Sequence, residues 1–267
     1  MVKSMVDFEN KLRYNVSDLR KLMALLRGPD GCPWDREQTH KSIRRNLLEE
    51  AYEAAEAIDQ DDTEHLIEEL GDVLMQVVFH ADIAEESGRF NLDDIADATC
   101  KKLLRRHPHV FGDMKAKDGT ESLVFWEDIK SAEKQHEYVA DDMCAVADSL
   151  PALWLAEKIQ KKAAKIGFDW PDYTGAIACL RAESAELQEA ITKDGDIEEE
   201  LGDVLFSAVN VARFFDIDPE HALRLASNKF VARFSALEKM AKSQGRNLED
   251  MTLDEMEELY QLAKLEN

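Results

Sequence analysis

Basic residues are in short supply in this chain. Against 56 Asp and Glu stand 33 Lys and Arg, leaving a net charge of −23 over 267 residues. A broad phosphate-backbone footprint on DNA or RNA requires clustered positive charge, so that class of function is excluded. Docking on an anionic membrane is disfavoured on the same ground. Glycine and proline are sparse, at 11 and 6 residues, which excludes collagen-like and low-complexity disordered chains. The only cysteines are Cys32, Cys100, Cys144 and Cys179, and no two form a CxxC pair. A zinc site, a redox motif and a disulfide framework are therefore not indicated. No run of about 18 apolar residues occurs, and the opening of the sequence holds no apolar stretch of signal-peptide length. Neither GxxxxGK[ST] nor GxGxxG is present, so P-loop and Rossmann phosphate binding have no support. The expectation is a soluble, cytoplasmic protein with no nucleic-acid or membrane partner.

What is present is helical periodicity. Apolar residues make up 45% of the chain and recur at intervals of three and four. This spacing predicts helices over residues 16–26, 36–58, 63–86, 92–106, 121–138, 151–165, 174–192, 196–215, 219–242 and 253–265. Alternating strand patterns are lacking. Breakers fall between the helices, at Gly28-Pro29-Asp30-Gly31, residues 107–120, residues 167–171 and Asp194-Gly195. Asp218-Pro219-Glu220 offers an Asp cap followed by Pro at the first helical position. The predicted fold is all-α, built from antiparallel helices with short loops.

An internal repeat organises the chain. Glu68-Glu69-Leu70-Gly71-Asp72-Val73-Leu74 recurs as Glu199-Glu200-Leu201-Gly202-Asp203-Val204-Leu205. Upstream, Glu50-x-x-Glu53-x-x-Glu56-x-Ile58 matches Glu183-x-x-Glu186-x-x-Glu189-x-Ile191. Downstream, Lys101-x-x-x-Arg105 matches Lys229-x-x-x-Arg233, and Trp34-Asp35 and Trp170-Pro171 stand ahead of the two copies. The order and similar gaps imply two related helical modules: residues 1–138, a linker at 139–150, and residues 151–267, the last expected to be the main catalytic module.

Acids three apart share one face of a helix. Glu50 and Glu53 thus project together, as do Glu69 and Asp72, and a turn near residues 60–62 would let the two pairs face each other. Four oxygen-only ligands suit a hard dication such as Mg²⁺ or Mn²⁺; without one they repel and raise one another's pKa. Glu183, Glu186, Glu200 and Asp203 repeat the set. Either set alone could be a charged face in water, but conservation of the acids' register between copies favours metal binding. Gly71 and Gly202 interrupt these acidic helices, suggesting a close helix approach there. Lys101 with Arg105, and Lys229 with Arg233, could neutralise a phosphate chain or form solvated strips. Trp34 and Trp170 could stack on a nucleobase or anchor a core. A ferritin-like dimetal bundle needs two Glu-x-x-His motifs, and the chain offers one, Glu133-x-x-His136.

Several motifs together resemble the MazG family of nucleoside triphosphate pyrophosphohydrolases in its two-module form. They are Gly31-Cys32-Pro33-Trp34-Asp35, Leu48-Glu49-Glu50-x-x-Glu53, the repeated heptapeptide, Arg106-His107-Pro108-His109-Val110-Phe111, and Lys158-Ile159-Gln160-Lys161 leading to Gly167-Phe168-Asp169-Trp170. The resemblance implies all-α homodimers that use Mg²⁺, with Mn²⁺ as a substitute. It further implies conversion of ribo- and deoxyribonucleoside triphosphates to monophosphates and pyrophosphate, in housecleaning of the nucleotide pool. It puts the metal and catalytic quartet on Glu183, Glu186, Glu200 and Asp203, and substrate contacts on Arg181, Glu199, Lys229, Arg233 and Tyr260, which Trp170 would join. Glu50, Glu53, Glu69 and Asp72, with Lys101 and Arg105, form a second possible site. The second module has Ala182-Glu183 where the first has Glu49-Glu50, and its C-terminal aromatic is Tyr where Trp is usual. Two alternatives stand beside this reading: a narrower dUTP or phosphoribosyl-ATP pyrophosphohydrolase, and a non-catalytic helical regulatory binding protein.

Overall fold

A computed structural model describes residues 8–134, 138–146 and 149–266. Among them every regular element is helical. The chain divides into two compact units, Met1–Glu133 and Lys134–Asn267. The first unit carries α1 (Val16–Arg27), α2 (Pro33–Glu37), α3 (Arg44–Asp59), α4 (Thr63–Glu86), α5 (Leu92–Arg106), α6 (Pro108–Phe111) and most of α7 (Gly119–Lys134). The second carries α8 (Val139–Cys144), α9 (Ala152–Lys165), α10 (Tyr173–Lys193), α11 (Ile197–Phe214), α12 (Pro219–Ser243), a 3₁₀ turn at Leu248–Asp250 and α13 (Leu253–Glu266). Residues 139–150, expected to be a linker, thus include a helix of the second unit, with Val146 buried just past its end. Among the described residues no helix is long and apolar enough to cross a membrane, and all four cysteines are free.

Each unit is built around one long antiparallel hairpin. In the first, α3 turns into α4 over three residues. Asp61 adopts a left-handed conformation with φ 54, and Asp62 caps α4 by accepting from the backbone N–H groups of Glu64 and His65. In the second, α10 ends on left-handed Asp194, and Asp196 caps α11 by accepting from Glu198 and Glu199. Such short turns leave the helices nowhere to go but back along each other. Asn15 and Asn91 start α1 and α5 with full capping boxes, their partners being Asp18 and Asp94. The predicted Asp218-Pro219 start of α12 is found, and Trp154 Nε1 donates to Asp218 Oδ1 at 2.8 Å.

Two expectations need correction. The helix over residues 36–58 is broken. Between α2 and α3, Thr39 and Ser42 bond to each other's backbone N–H groups at 2.9 and 3.2 Å, giving the backbone a local alternative to the helix. The break is held by Arg27, buried at the end of α1. It donates to the carbonyls of Asp35 and Gln38 and grips Glu86 with two bonds of 2.7 Å. Nor do Gly71 and Gly202 mark a close approach of helices. A Cβ at either position would meet nothing within 4 Å.

In the first unit Met23, Ile43, Val78, Phe79 and Ile83 form the core. In the second, Leu237, Ala241, Met251 and Leu259 pack α12 against α13. Asp82 is buried on α4 with Oδ2 unpartnered. Burial, assisted by Glu85, lifts its pKa from 3.8 to about 6, against the opposing pull of Arg27 and Arg20. A carboxyl with a raised folded-state pKa holds more protons folded than unfolded between those values, so stability falls as pH rises from about 4 to about 6. Asp82→Asn removes the charge at nearly constant shape. It should raise thermal stability at pH 7.5 by up to roughly 3 kcal/mol and leave it unchanged at pH 3.5. Melting curves at the two pH values check this, and an equal shift at both would refute the account.

Candidate metal and substrate site

The hairpins bring the repeated acids together. In the first unit, oxygens of Glu50 on α3 and of Glu69 and Asp72 on α4 lie within 4.8 Å of one another. Glu53, one turn along α3, lies near enough to push the Glu50 carboxyl up. In the second unit, Glu183 and Glu186 on α10 and Glu200 on α11 converge within the same limit, and Asp203 lies near enough to act on Glu200. The arrangement follows from the helical repeat: acids three apart stack on one face, and the antiparallel partner presents its own pair opposite.

The electrostatics are those of ligands held against their mutual repulsion. The Glu50 carboxyl is pushed above its ordinary value by burial, then by Asp72, Glu53 and Glu69. Glu200 is pushed up likewise, by burial and then by Glu186, Asp203, Glu199 and Glu183. Glu69 is buried; one oxygen lies 3.0 Å from His65 Nε2 and the other has no partner. A buried carboxylate oxygen without a donor, among oxygen-only neighbours, fits a hard dication. Each cluster can hold one such ion.

The other expected residues are distributed unevenly. In the first unit Lys101 pairs with Asp97 on its own helix at 2.6 Å, and Arg105 pairs with Glu133 of α7. Arg106 joins the same carboxylate at 2.6 Å, so Glu133 serves as an arginine anchor; His136, its expected partner in a metal motif, lies outside the described residues. In the second unit Lys229 and Arg233 lie on α12, and the Tyr260 ring packs on Phe230 between them, with centroids 5.9 Å apart. Arg233 keeps a buried Nε without a partner. Arg181 is exposed on α10, and Glu199 lies in the first turn of α11 beside Glu200. Trp34 is more than half exposed. Trp170 lies against the start of α10, so closely that a Cβ on Gly175 would sit 2.7 Å from its indole.

Trp170 also lines a cavity of about 480 Å³ that Phe168 and Phe206 share. Its polar lining is Gln160, Asp169, Asn210 and Arg213; sequence reasoning quoted Gln160 and Asp169 as motif residues and gave none of the four a role. A signal existed for Gln160, a glutamine between Ala156 and Ala163 on the inward side of α9. Cys179 was missed as well; its Sγ lies 3.5 Å from both Glu183 Oε1 and Ser207 Oγ.

Fold and clusters define a class: an all-α protein whose paired helical hairpins each gather oxygen ligands suited to a hard dication. The MazG nucleotide pyrophosphohydrolase domain matches residues 38–111 and 172–236, taking in both hairpins. A Thermotoga maritima protein named nucleoside triphosphate pyrophosphohydrolase/pyrophosphatase MazG is 45% identical over 248 residues, covering 92% of this chain and 94% of its own. The nucleoside triphosphate pyrophosphohydrolase of Escherichia coli K12 is 41% identical over 254 residues, covering 93% and 97%. A Bacillus subtilis protein, the uncharacterized YabN, is 46% identical over 260 residues, which span 96% of this chain but 53% of that longer protein. The chain belongs to the MazG family.

Raised carboxyls and a bound dication compete for the same oxygens. Without metal, the raised pKa values of Glu50 and Glu200 mean that stability falls as pH rises through the carboxylate range. Added Mg²⁺ or Mn²⁺ should restore it, by about 1.4 kcal/mol per site for each decade of free ion above its Kd. The melting temperature should therefore respond to the ion more strongly at pH 7.5 than at pH 5. A response of equal size at both values would count against carboxylate ligation.

Proposed function

We propose that this chain is a Mg²⁺-dependent nucleoside triphosphate pyrophosphohydrolase, converting NTPs and dNTPs to monophosphates and pyrophosphate in cytoplasmic nucleotide housecleaning. The observation that carries the reading is the convergence of Glu183, Glu186 and Glu200 beside Asp203 in a chain of the MazG family. Those four residues would hold the ion. When bound, Mg²⁺ supplies Lewis-acid polarisation of phosphate oxygens and a more acidic water. Mn²⁺ offers the same hard-oxygen coordination and would substitute.

The protein's own groups do the rest. Glu199 or Glu186 takes the proton of the water that attacks the α-phosphorus. The bond from that phosphorus to the bridging oxygen breaks, and pyrophosphate leaves with the electron pair. Lys229 and Arg233 offset the charge that develops on it, and the unpartnered Arg233 Nε is a donor in waiting. Arg181 and Tyr260 complete the substrate contacts, with Trp170 toward the base.

The second module is the one we assign to catalysis. Its cations Lys229 and Arg233 share α12 with Phe230, the ring that packs on Tyr260, whereas Lys101 and Arg105 of the first are engaged by Asp97 and Glu133. The first cluster, Glu50, Glu53, Glu69 and Asp72, would then bind an ion for structure or regulation. A homodimer is supported by apolar side chains left exposed at matching positions of both hairpins: Leu70 with Leu201, and Leu74 with Leu205.

Purified protein with Mg²⁺ and a panel of NTPs and dNTPs should yield monophosphate and pyrophosphate. Glu200→Ala should lose roughly 100-fold or more in kcat with its helical circular dichroism intact, while Glu69→Ala stays near wild type. Loss in Glu69→Ala alone would move the chemistry to the first module. Turnover confined to one nucleotide would establish the narrower hydrolase, and no metal-dependent product from any nucleotide would leave a helical binding protein. Sedimentation of wild type and Leu205→Asp checks the dimer, which the charged substitution should dissociate.

A further inference from the structure

The cavity in the second unit has a polar arrangement that the carboxylate cluster does not explain. Its floor is α9 and its wall α11, closed by the turn of residues 167–170. Phe206 and Asn210 lie three and seven residues beyond Asp203, roughly 4.5 and 10.5 Å further along the α11 axis. The cavity therefore opens about one to two turns along α11 from Asp203, the span of a ribose and its first phosphate.

Gln160 is only 6% exposed. Its Nε2 donates to the Phe206 carbonyl at 2.8 Å. A carbonyl can only accept, so the amide nitrogen must face it, and the orientation of the other end follows. That other end, Oε1, is buried without a partner, a costly condition that a ligand donor would relieve. Asn210 is constrained in the opposite sense. Its Oδ1 accepts from Arg213 Nη2 at 2.8 Å, and Arg213 is tied at 2.8 Å to Asp169. What Asn210 can offer a ligand is its Nδ2 donor. The cavity thus combines a fixed acceptor and a donor with aromatic surface from Phe168, Trp170 and Phe206.

The first unit lacks this arrangement. Seven residues past its repeat aspartate stands Phe79, not asparagine, and Phe79 is buried with Met23 and Ile43 in the core. Phe206 is matched by Met75, packed against the same core. The hairpins carry the same heptapeptide, yet at these two positions the first has side chains packed into its core, beside a buried Gln76, and the second lines a polar cavity.

We propose that this cavity takes the heterocyclic base of the nucleotide, with Gln160 as the specificity-determining residue. Gln160 Oε1 accepts from an amino or imino N–H of the base, and Asn210 Nδ2 donates to the neighbouring ring nitrogen or carbonyl. The inference rests on the nucleotide substrate proposed above. Each common base presents an N–H beside an acceptor on one edge, so the pair admits all four. It rejects a heterocycle that has lost its N–H, because the buried acceptor then stays unpaired.

The test uses nucleosides alone, without phosphate or metal, titrated calorimetrically into the full chain. Adenosine is compared with purine riboside, and cytidine with its analogue lacking the 4-amino group; each pair differs only in the donor. In wild type at least one amino-bearing nucleoside should bind about 10-fold or more tightly than its partner. In Gln160→Met, which keeps length but removes the acceptor, the two should bind within about 2-fold of each other. Equal binding within both pairs in wild type overturns the proposal, as does no binding of any nucleoside. So does a preference that survives in folded Gln160→Met. The wild-type comparison needs no variant, so a substitution that fails to fold leaves the test intact. Amino-dependent binding in a protein without triphosphate turnover would defeat the hydrolase reading and uphold the base pocket.

Discussion

Mutual repulsion among carboxylates is the constraint around which this chain is built. Glu50, Glu69 and Asp72, and again Glu183, Glu186 and Glu200, are held with oxygens within 4.8 Å. In water such groups would separate, and the raised carboxyls of Glu50 and Glu200 record the cost of keeping them together. What opposes the repulsion is backbone geometry. Two long helices, joined by three-residue turns and closed by Asp62 and Asp196 caps, have little freedom to slide. The register that places one acidic pair opposite the other is set at the turn and carried along the hairpin by rigid helices.

The same hairpin serves two different surroundings. In the first unit the flank beyond the acids is filled by Phe79 and its neighbours, Glu69 is buried next to His65, and the cations of α5 are spent on Asp97 and Glu133. In the second unit the acids are more open. Lys229 and Arg233 share their helix with the ring that contacts Tyr260, and α11 runs on from its acids to line a polar cavity. A duplicated acidic set with one closed and one open flank is a physical basis for dividing labour between modules. One copy would bind an ion in a well-packed shell, the other an ion together with its substrate.

Arg27 and Arg213 illustrate how small differences redirect a shared scaffold. Each is mostly buried and bidentate to a carboxylate, Glu86 and Asp169 respectively. Arg27 also collects the carbonyls of residues 35 and 38, which fastens the broken stretch ahead of α3. Arg213 instead engages Asn210 and leaves that side chain's donor for a ligand. The planar guanidinium makes both possible; which one results depends on what the preceding loop presents.

By itself the sequence determined the helical class, most helix bounds and the two acid sets. Those features are periodic: apolar spacing reports the buried stripe, Asp and Asn before a helix report its cap, and a repeated heptapeptide marks off the two converging acid sets from other surface acids. The tertiary structure alone decided what periodicity does not encode. Thr39 and Ser42 broke a helix that apolar spacing carried straight through, because side-chain bonds to the backbone compete with the helix locally. Gly71 and Gly202 faced open space rather than a neighbouring helix, since a missing Cβ says nothing of what lies beyond it. The partners of Lys101 and Arg105 came from Asp97 and Glu133, and the unpaired oxygen of Gln160 arose only when the Phe206 carbonyl took its nitrogen. These are pairwise choices among groups, several of them distant in sequence, and packing makes them.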